Sequence, residues 1–596
     1  MKYVISALLC STLVIAADIP EEGLKAEMAG NWSEAATIYT NILSKNPNNV
    51  DLYLRLSDIY AKEKQYDKAS DILQQAIPYT SKPSELLSKL STIQAINGQS
   101  KEAIISIDKA LVIDPNNIHY LQQRAELSSW AGEYEKAAII YEKLYEQHND
   151  NNMLLHQAEN LSWDGQLSKA GRIFDQYTKH EQADKAALLK YIKNEIWKGD
   201  YSHAQKLLKQ YTQNFQEDSA SNEAAAELYT RAEWPDHAGI YLEPALKADP
   251  SNYNLNYFNT LKLHYDHLST KAIQSLASVQ ELRPNSKDTD DLRKVIMTPL
   301  RSDVSAGGFF FRDNENISIH TLSLQTKYVV KPTLSLLAEA QWDHLYTKQN
   351  SLYKNTDGST SSNLFHGAVG VSGRPSSVFG YNVLIGSSES DNDSSLYLRS
   401  SVNIDIDDKT TVYADLNHNV YAISPLSTSL GIEQTHTALL LEYRPTLEYT
   451  ILAQSEYDMY SHNNERLGFV LAPRKAILRN EIFNLDLGVK GWWFGYSKDL
   501  NNGYYDPKLF ESYMGTFYST VKITPEDEIS IIGGVGYIKD NTMDSYRIGY
   551  NIDVLGTFGI YRSWMIQAKT GYMNNQRQVS GNYDAYYAGI SITKRF

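Results

Sequence analysis

Residues 585–596 read AYYAGISITKRF. The even positions Tyr586, Ala588, Ile590, Ile592 and Phe596 are apolar, whereas Tyr587, Gly589, Ser591, Thr593 and Arg595 are small, polar or charged, with Lys594 as the exception. Successive side chains of a strand point to opposite faces, so a period of two reads as a β-strand whose faces meet different surroundings. A soluble antiparallel sheet gives the same pattern. The rest of the chain has to say which surroundings these are.

Working back from this strand, the alternation persists to about Pro299. In 483–495 the apolar set is Phe483, Leu485, Leu487, Val489 and Trp493, and Asn484, Asp486, Gly488 and Lys490 face the other way. In 439–458, Leu439, Leu441, Tyr443, Leu447, Tyr449, Ile451, Ala453 and Tyr457 oppose Glu442, Arg444, Glu448, Gln454, Glu456 and Asp458. The connections are as regular. Tight turns, often with proline, recur at VKPT (330–333), GRPSS (373–377), IDDK (406–409), YRPT (443–446) and TPED (524–527). They alternate with long polar segments such as 346–363 and 421–434, about sixteen strands in all. An even number of strands with short turns at one end and long loops at the other is the plan of a transmembrane antiparallel β-barrel, with short turns and chain ends in the periplasm. On that plan Thr360 and Thr428 lie in outer loops and Asp407 in a periplasmic turn. The apolar face meets outer-membrane lipid and the polar face lines the lumen, with Glu442, Arg444, Glu448, Glu456, Asp458, Asp486 and Lys490 as pore-lining candidates. Sixteen strands leave room for a water-filled channel.

The N-terminal half follows another period. An alanine recurs as Ala35, Ala69, Ala103, Ala137, Ala170, Ala204, Ala238 and Ala272, spaced by 34 residues with one spacing of 33. Four residues after each stands Tyr39, Leu73, Ile107, Tyr141, Phe174, Leu208, Leu242 or Leu276. This ladder resembles the tetratricopeptide repeat, in which the small residue lets two antiparallel helices approach and the large one fills the gap beside it. Pro47, Pro115, Pro250 and Pro284 end second helices. About eight repeats form an α-helical solenoid, whose extended concave face suits binding rather than catalysis.

The segment MKYVISALLCSTLVIAAD has the charged start, short apolar run and small-residue cleavage region of a secretory signal peptide. The expected organisation is therefore a signal peptide at 1–17, a periplasmic repeat solenoid at 18–285, a linker at 286–300 and the barrel at 301–596. Cys10 is the chain's one cysteine, so the mature protein would carry no thiol. The net charge of −15 and pI near 5.5 argue against a nucleic-acid partner, which calls for a basic face. No G-x-S-x-G, H-E-x-x-H or phosphate-loop pattern occurs, and the chain reads as a non-enzyme needing no cofactor and no metal.

The remaining signal is NNGYYDPKLFESY, residues 501–513. Gly503 and Asp506-Pro507 suit an exposed turn. A Gly-Tyr-Tyr-x-Pro run followed by an aromatic also resembles a segment near the end of the barrels of exopolysaccharide-export proteins, the cellulose and poly-N-acetylglucosamine exporters. The whole plan of signal peptide, repeats and barrel resembles that family, although the repeat region is much shorter than in its longest members. The resemblance implies a pore for a polysaccharide, with the repeats docking periplasmic or inner-membrane synthesis proteins or the polymer. It implies that Tyr504, Tyr505 and Asp506 contact the polymer, and that a final strand ending on Phe596 signals to the barrel assembly machinery. From residue 301 onward there are 31 acidic and 25 basic residues, a balance that suits a cationic amino-sugar polymer. A translocator for surface proteins or lipoproteins and a surface receptor or adhesin share the architecture and stay open.

Overall fold

A computed structural model describes residues 19–180, 184–391, 393–500, 502–577 and 581–596. The signal-peptide reading at 1–17, with Cys10, lies outside the described residues. Seventeen helices of a tetratricopeptide-like region precede a closed sixteen-strand antiparallel barrel. The chain forms two compact units, one up to Ala187 and one from Leu188.

The first unit holds α1 (Glu21–Met28), α2 (Trp32–Leu43), α3 (Val50–Lys62), α4 (Tyr66–Ala76), α5 (Pro83–Ile96), α6 (Ser100–Ile113), α7 (Ile118–Trp130), α8 (Tyr134–His148), α9 (Asn151–Trp163) and α10 (Leu167–His180). The chain passes to the second unit within α11 (Lys185–Lys198), followed by α12 (Tyr201–Asn214), α13 (Ser219–Arg231), α14 (Pro235–Ala248), α15 (Tyr253–Tyr265), α16 (Ser269–Leu282) and α17 (Lys287–Met297). All eight ladder alanines are fully buried, each on an even-numbered helix, and the large residue one turn later is buried with it. Tyr39 shows why the small partner matters: a Cβ on Gly23 of α1 would stand 2.3 Å from its ring. The expected linker at 286–300 contains α17, whose Leu292 and Ile296 pack on Leu276 and Val279 of α16.

The turn inside each helix pair carries one residue in the left-handed region, at Gly30, Lys64, Gly98, Gly132, Gly165, Gly199, Glu233 and His267. Glycine adopts that conformation without strain, whereas a side chain there costs about 1 kcal/mol. Five of the eight are glycine, and two of the three that are not, Glu233 and His267, touch the barrel.

The barrel strands are β1 (Asp303–Asp313), β2 (Ser318–Lys331), β3 (Leu334–Tyr346), β4 (Ser361–Gly373), β5 (Phe379–Ser390), β6 (Ser394–Asp407), β7 (Thr410–Val420), β8 (Glu433–Thr446), β9 (Tyr449–Tyr460), β10 (Asn464–Arg479), β11 (Phe483–Tyr496), β12 (Phe510–Thr524), β13 (Asp527–Asp540), β14 (Arg547–Phe558), β15 (Trp564–Arg577) and β16 (Gly581–Arg595). Each pairs with its sequence neighbours, and β1 closes on β16 from Asp303 opposite Arg595 to Asp313 opposite Ala585. The Phe596 N–H extends this seam by donating to the Ser302 carbonyl at 2.9 Å. Outward side chains include Leu439, Leu441, Leu487, Val489, Ile590 and Ile592, all exposed, as the alternation requires. Lys594, the exception in the last strand, lies on the outer face with its ammonium 4.6 Å from the Trp564 ring centre. A basic group stacked on tryptophan suits the polar edge of a lipid-facing belt.

Replacing Ala137 with Trp forces an indole into a fully closed helix contact. The expected cost is about 3 kcal/mol or more, at or beyond the usual scale of core overpacking. Thermal melts of the purified chain should show the helical signal lost at a lower temperature while the barrel's heat-modifiable gel mobility is unchanged; an unaltered helical melt would refute the repeat register.

Candidate functional site

The lumen wall is built from the inward positions of β8 to β12. Arg466 on β10 stands opposite Asp458 on β9 and donates to Asp458 at 2.6 Å and Glu456 at 2.7 Å. His436 on β8, opposite Asp458 from the other side, brings Nδ1 to 2.6 Å from the same carboxylate. Asp486 is engaged by Arg479 at 2.5 Å, with Arg474 at 3.7 Å. Lys490 places its ammonium 5.5 Å from the Trp492 ring centre. Elsewhere on the wall Glu339 accepts from Tyr397 Oη at 2.5 Å and from Arg399 at 3.3 Å. The wall therefore presents carboxylate–arginine pairs beside aromatic rings. The expectation of an acidic lumen selecting a cationic polymer finds no carrier at Glu456, Asp458 or Asp486, because each carboxylate is met by arginine.

Two pore-lining candidates do other work. Glu448 lies in the β8–β9 turn, where its carboxylate meets Lys206 of α12 at 2.5 Å, a contact that holds its pKa below the usual carboxylate range. Arg444 donates to the carbonyls of Glu233 and Asp408, both at 3.2 Å. Both residues sit at the short-turn rim and tie it to the helices. Glu442 stays among the inward positions of β8, opposite Thr411.

The firmest tie at this rim is made by Asp408 in the β6–β7 turn. Helix α14 begins after Trp234, whose side chain offers no capping acceptor, and Pro235 has no N–H. The free N–H groups of Asp236 and His237 both donate to the Asp408 carboxylate at 2.8 Å, and His237 Nδ1 approaches it at 2.6 Å. A barrel turn thus supplies the helix cap, a contact worth about 1 kcal/mol in ordinary caps. Nearby, His267 approaches Asp405 at 3.6 Å, and burial together with Arg374 pushes its pKa down to about 4, so its ring is neutral at physiological pH.

At the opposite end three long loops meet. They leave the barrel between β3 and β4, β7 and β8, and β11 and β12, each four strands from the next. Loops a quarter-turn apart can touch only by reaching inward over the lumen. A short helix, α18 (Pro425–Ser429), lies in the second loop. Its Leu426 N–H donates to the Tyr353 carbonyl of the first loop at 3.0 Å, and Ser424 Oγ donates to the Gly503 carbonyl of the third at 2.6 Å. Gly503 has φ +86°, and a Cβ there would stand 2.7 Å from Ser424 Oγ and the Ser427 nitrogen. Only glycine fits.

Tyr504, next in the chain, is buried with its ring 5.3 Å from Tyr460, 5.4 Å from Tyr421 and 5.9 Å from Tyr496. Tyr505 donates to Asp540 at 2.5 Å. Asp506 is buried too, accepting from the Leu500 N–H at 2.8 Å. These three residues were expected to face a polymer. The structure instead spends Tyr504 on locking the loops together and Asp506 on bracing its own loop, because the apolar cluster around Ile432, Phe494, Phe510 and Ile538 draws the loop into the barrel end. Thr428, expected in an accessible outer loop, is buried within α18. Sequence reasoning missed Arg466, His436 and Tyr421; strand parity marks the first two as inward, but only the register shows that they meet Asp458. Among the described residues Glu195, Asp200 and His203 form the one group of metal-ligand types, and Lys198 and His203 both engage Glu195.

A family model described as tetratricopeptide repeat matches residues 26–91. No match to the chain was found among curated proteins. Among solved structures the chain is similar to a bacterial polysaccharide outer membrane secretin, at 13% identity and TM-score 0.42, over 50% of this chain and 99% of that one. It is also similar to a tetratricopeptide repeat protein from Parabacteroides merdae ATCC 43184, at 21% identity and TM-score 0.38, over 42% of this chain and 98% of that one. At these identities the likeness concerns fold.

Burial raises the pKa of Asp506 to about 6, with Asp499 adding to the shift and the Leu500 N–H opposing it. A carboxyl whose folded pKa exceeds its unfolded value stabilises the fold at low pH, and that contribution is lost as pH rises from about 4 to 6. The loop lock should therefore be firmer at pH 5 than at pH 7.5, read as slower amide exchange across 497–509 at pH 5 after correction for intrinsic rates. Asp506→Asn should remove most of that difference. Equal pH dependence in the variant would contradict the assignment.

Proposed function

We propose that this protein is an outer-membrane pore that exports an exopolysaccharide, with its repeat helices on the periplasmic side receiving the polymer or the proteins that make it. The observation that carries this reading is the pairing of a closed, polar-lined barrel with a loop lock built around Gly503-Tyr504-Tyr505-Asp506-Pro507. A lumen lined by alternating charge pairs and aromatic rings offers many weak contacts to sugar hydroxyls and ring faces, so that a long chain is held everywhere lightly and nowhere tightly. The short-turn rim tied to α12 and α14 keeps the last repeats at the entrance, and the loop lock forms the exit. On this reading the short turns and the repeats are periplasmic, and insertion depends on the barrel assembly machinery.

Deletion of the gene should leave polysaccharide in the periplasm and remove it from the medium, measured by sugar analysis of both fractions. Gly503→Ala, which cannot keep the loop packed on α18, should insert normally and admit a large hydrophilic antibiotic such as vancomycin, lowering its inhibitory concentration severalfold. Normal extracellular polymer in the deletion strain would sink the export reading. Unchanged antibiotic entry with Gly503→Ala would show that the three loops do not close the pore.

A further inference from the structure

The outer face of the barrel carries a feature that transport does not use. On β1, β2, β3 and β16 the outward row contains Gly308 and Ala588 between larger neighbours, which leaves a groove of about 690 Å³ walled by Phe310, Leu322, Trp342 and Ile590. A Cβ placed on Gly308 would make only ordinary contact, with its nearest atom, Leu322 Cδ2, 3.8 Å away. Towards the long-loop end this groove opens into a second hollow of about 340 Å³, and Phe310, His320 and His344 line both. The second hollow is edged by Arg312 at the end of β1, Lys348 just beyond β3, and Asn316 in the β1–β2 turn.

The chemistry changes sharply along this path. The lower part is a slot of aromatic and aliphatic side chains on the lipid-facing belt. The upper part gathers two permanent cations, two imidazoles and an amide. Neither Arg312 nor Lys348 enters an ion pair among the described residues. Of the acids towards this end, Asp313 accepts from the Ile317 N–H and Asp391 from the Asn363 N–H, both at 2.8 Å, and Glu315 has a partner of its own. His320 and His344 stand side by side across β2 and β3, ring centres 6.4 Å apart, with His344 stacked on Trp342 at 5.8 Å. Unpaired cations at the polar edge of a lipid belt, directly above an apolar slot, match an amphiphile with a phosphorylated head and acyl tails.

We propose that this outward site binds one phosphorylated glycolipid of the outer leaflet, with a head-group phosphate held by Arg312 and Lys348 and an acyl chain in the groove over Gly308 and Ala588. The proposal rests on the reading that the barrel spans the outer membrane with its long loops outward. Under that reading the cations stand at the level of the outer-leaflet phosphates, and a tightly held lipid would brace the β16–β1–β2–β3 sector beside the closing seam.

The test uses the full-length protein extracted in mild detergent, after density fractionation has recorded which membrane it came from. Purified protein is titrated with mixed micelles containing bisphosphorylated lipid A, its dephosphorylated form, or a zwitterionic phospholipid, and bound lipid is counted by native mass spectrometry. One lipid A per chain should survive, whereas Arg312→Ala with Lys348→Ala should weaken retention by at least about tenfold. Gly308→Leu, which fills the slot and leaves the cations in place, should weaken it as well. A control removing two cations at the other end, Lys331→Ala with Lys522→Ala, should bind as the wild type does. Equal retention by the Arg312/Lys348 variant, or equal retention of dephosphorylated or zwitterionic lipid, would overturn the site. Recovery of the chain outside the outer membrane would defeat the membrane reading instead, and the titration would still decide whether the site exists.

Discussion

In hydrocarbon a backbone N–H or C=O without a partner costs several kcal/mol, so a sheet that crosses a membrane has to have no edge. The pairing of β1 with β16 meets that demand, and most of the second unit depends on it. It fixes an even number of strands, brings Asp303 beside Arg595, and forces each strand to present one face outward and one to the lumen. Once the ring is closed, the period-two alternation becomes an inside and an outside. The apolar surface of Leu439, Val489 and Ile590 then lies together on the outer face, the face a lipid-spanning barrel has to make apolar.

A closed ring of polar-lined strands has two ends, and they are handled by different means. At the long-loop end, three connections leaving the ring at quarter-turn intervals lock through Gly503, Ser424 and the Tyr504 cluster. At the short-turn end the strands return too tightly to reach inward, and the helices supply the contacts. Asp408 caps α14, Glu448 meets Lys206, and Arg444 meets the Glu233 carbonyl. Glu233 and His267, both of which touch the barrel, stand at a left-handed turn that five other repeats fill with glycine and one, at Lys64, with lysine.

Much of this was legible in the sequence. The alanine ladder fixed the helix pairs, because close approach of two helices tolerates little besides a small residue. The turn asymmetry and the alternation fixed the barrel, because lipid and water cannot both be satisfied by one face. The site was legible only in part. Glu456 and Asp458 were correctly placed inward by parity, but their neutralisation by Arg466 depends on strand register, which local pattern does not encode. Glu448 and Arg444 carry the right parity for the lumen and sit instead at a turn, where the β8–β9 register shifts between Tyr443 and Thr446. The tyrosines of the segment 501–513 look alike in sequence whether they face a polymer or a protein core. The burial of Thr428 and Tyr504 follows from contacts among three loops far apart in sequence, beyond the reach of any local rule.

The central claim is that one barrel face meets lipid and the other water, and spin labels placed singly on neighbouring residues of β11 test it most directly. Labels at Leu487 and Val489, in protein reconstituted into bilayers, should collide readily with oxygen and be shielded from a water-soluble nickel complex. Labels at Asp486 and Lys490 should show the reverse, giving an accessibility that oscillates with a period of two. A profile without that oscillation, or one in which all four positions favour the nickel complex, would contradict a membrane-spanning barrel.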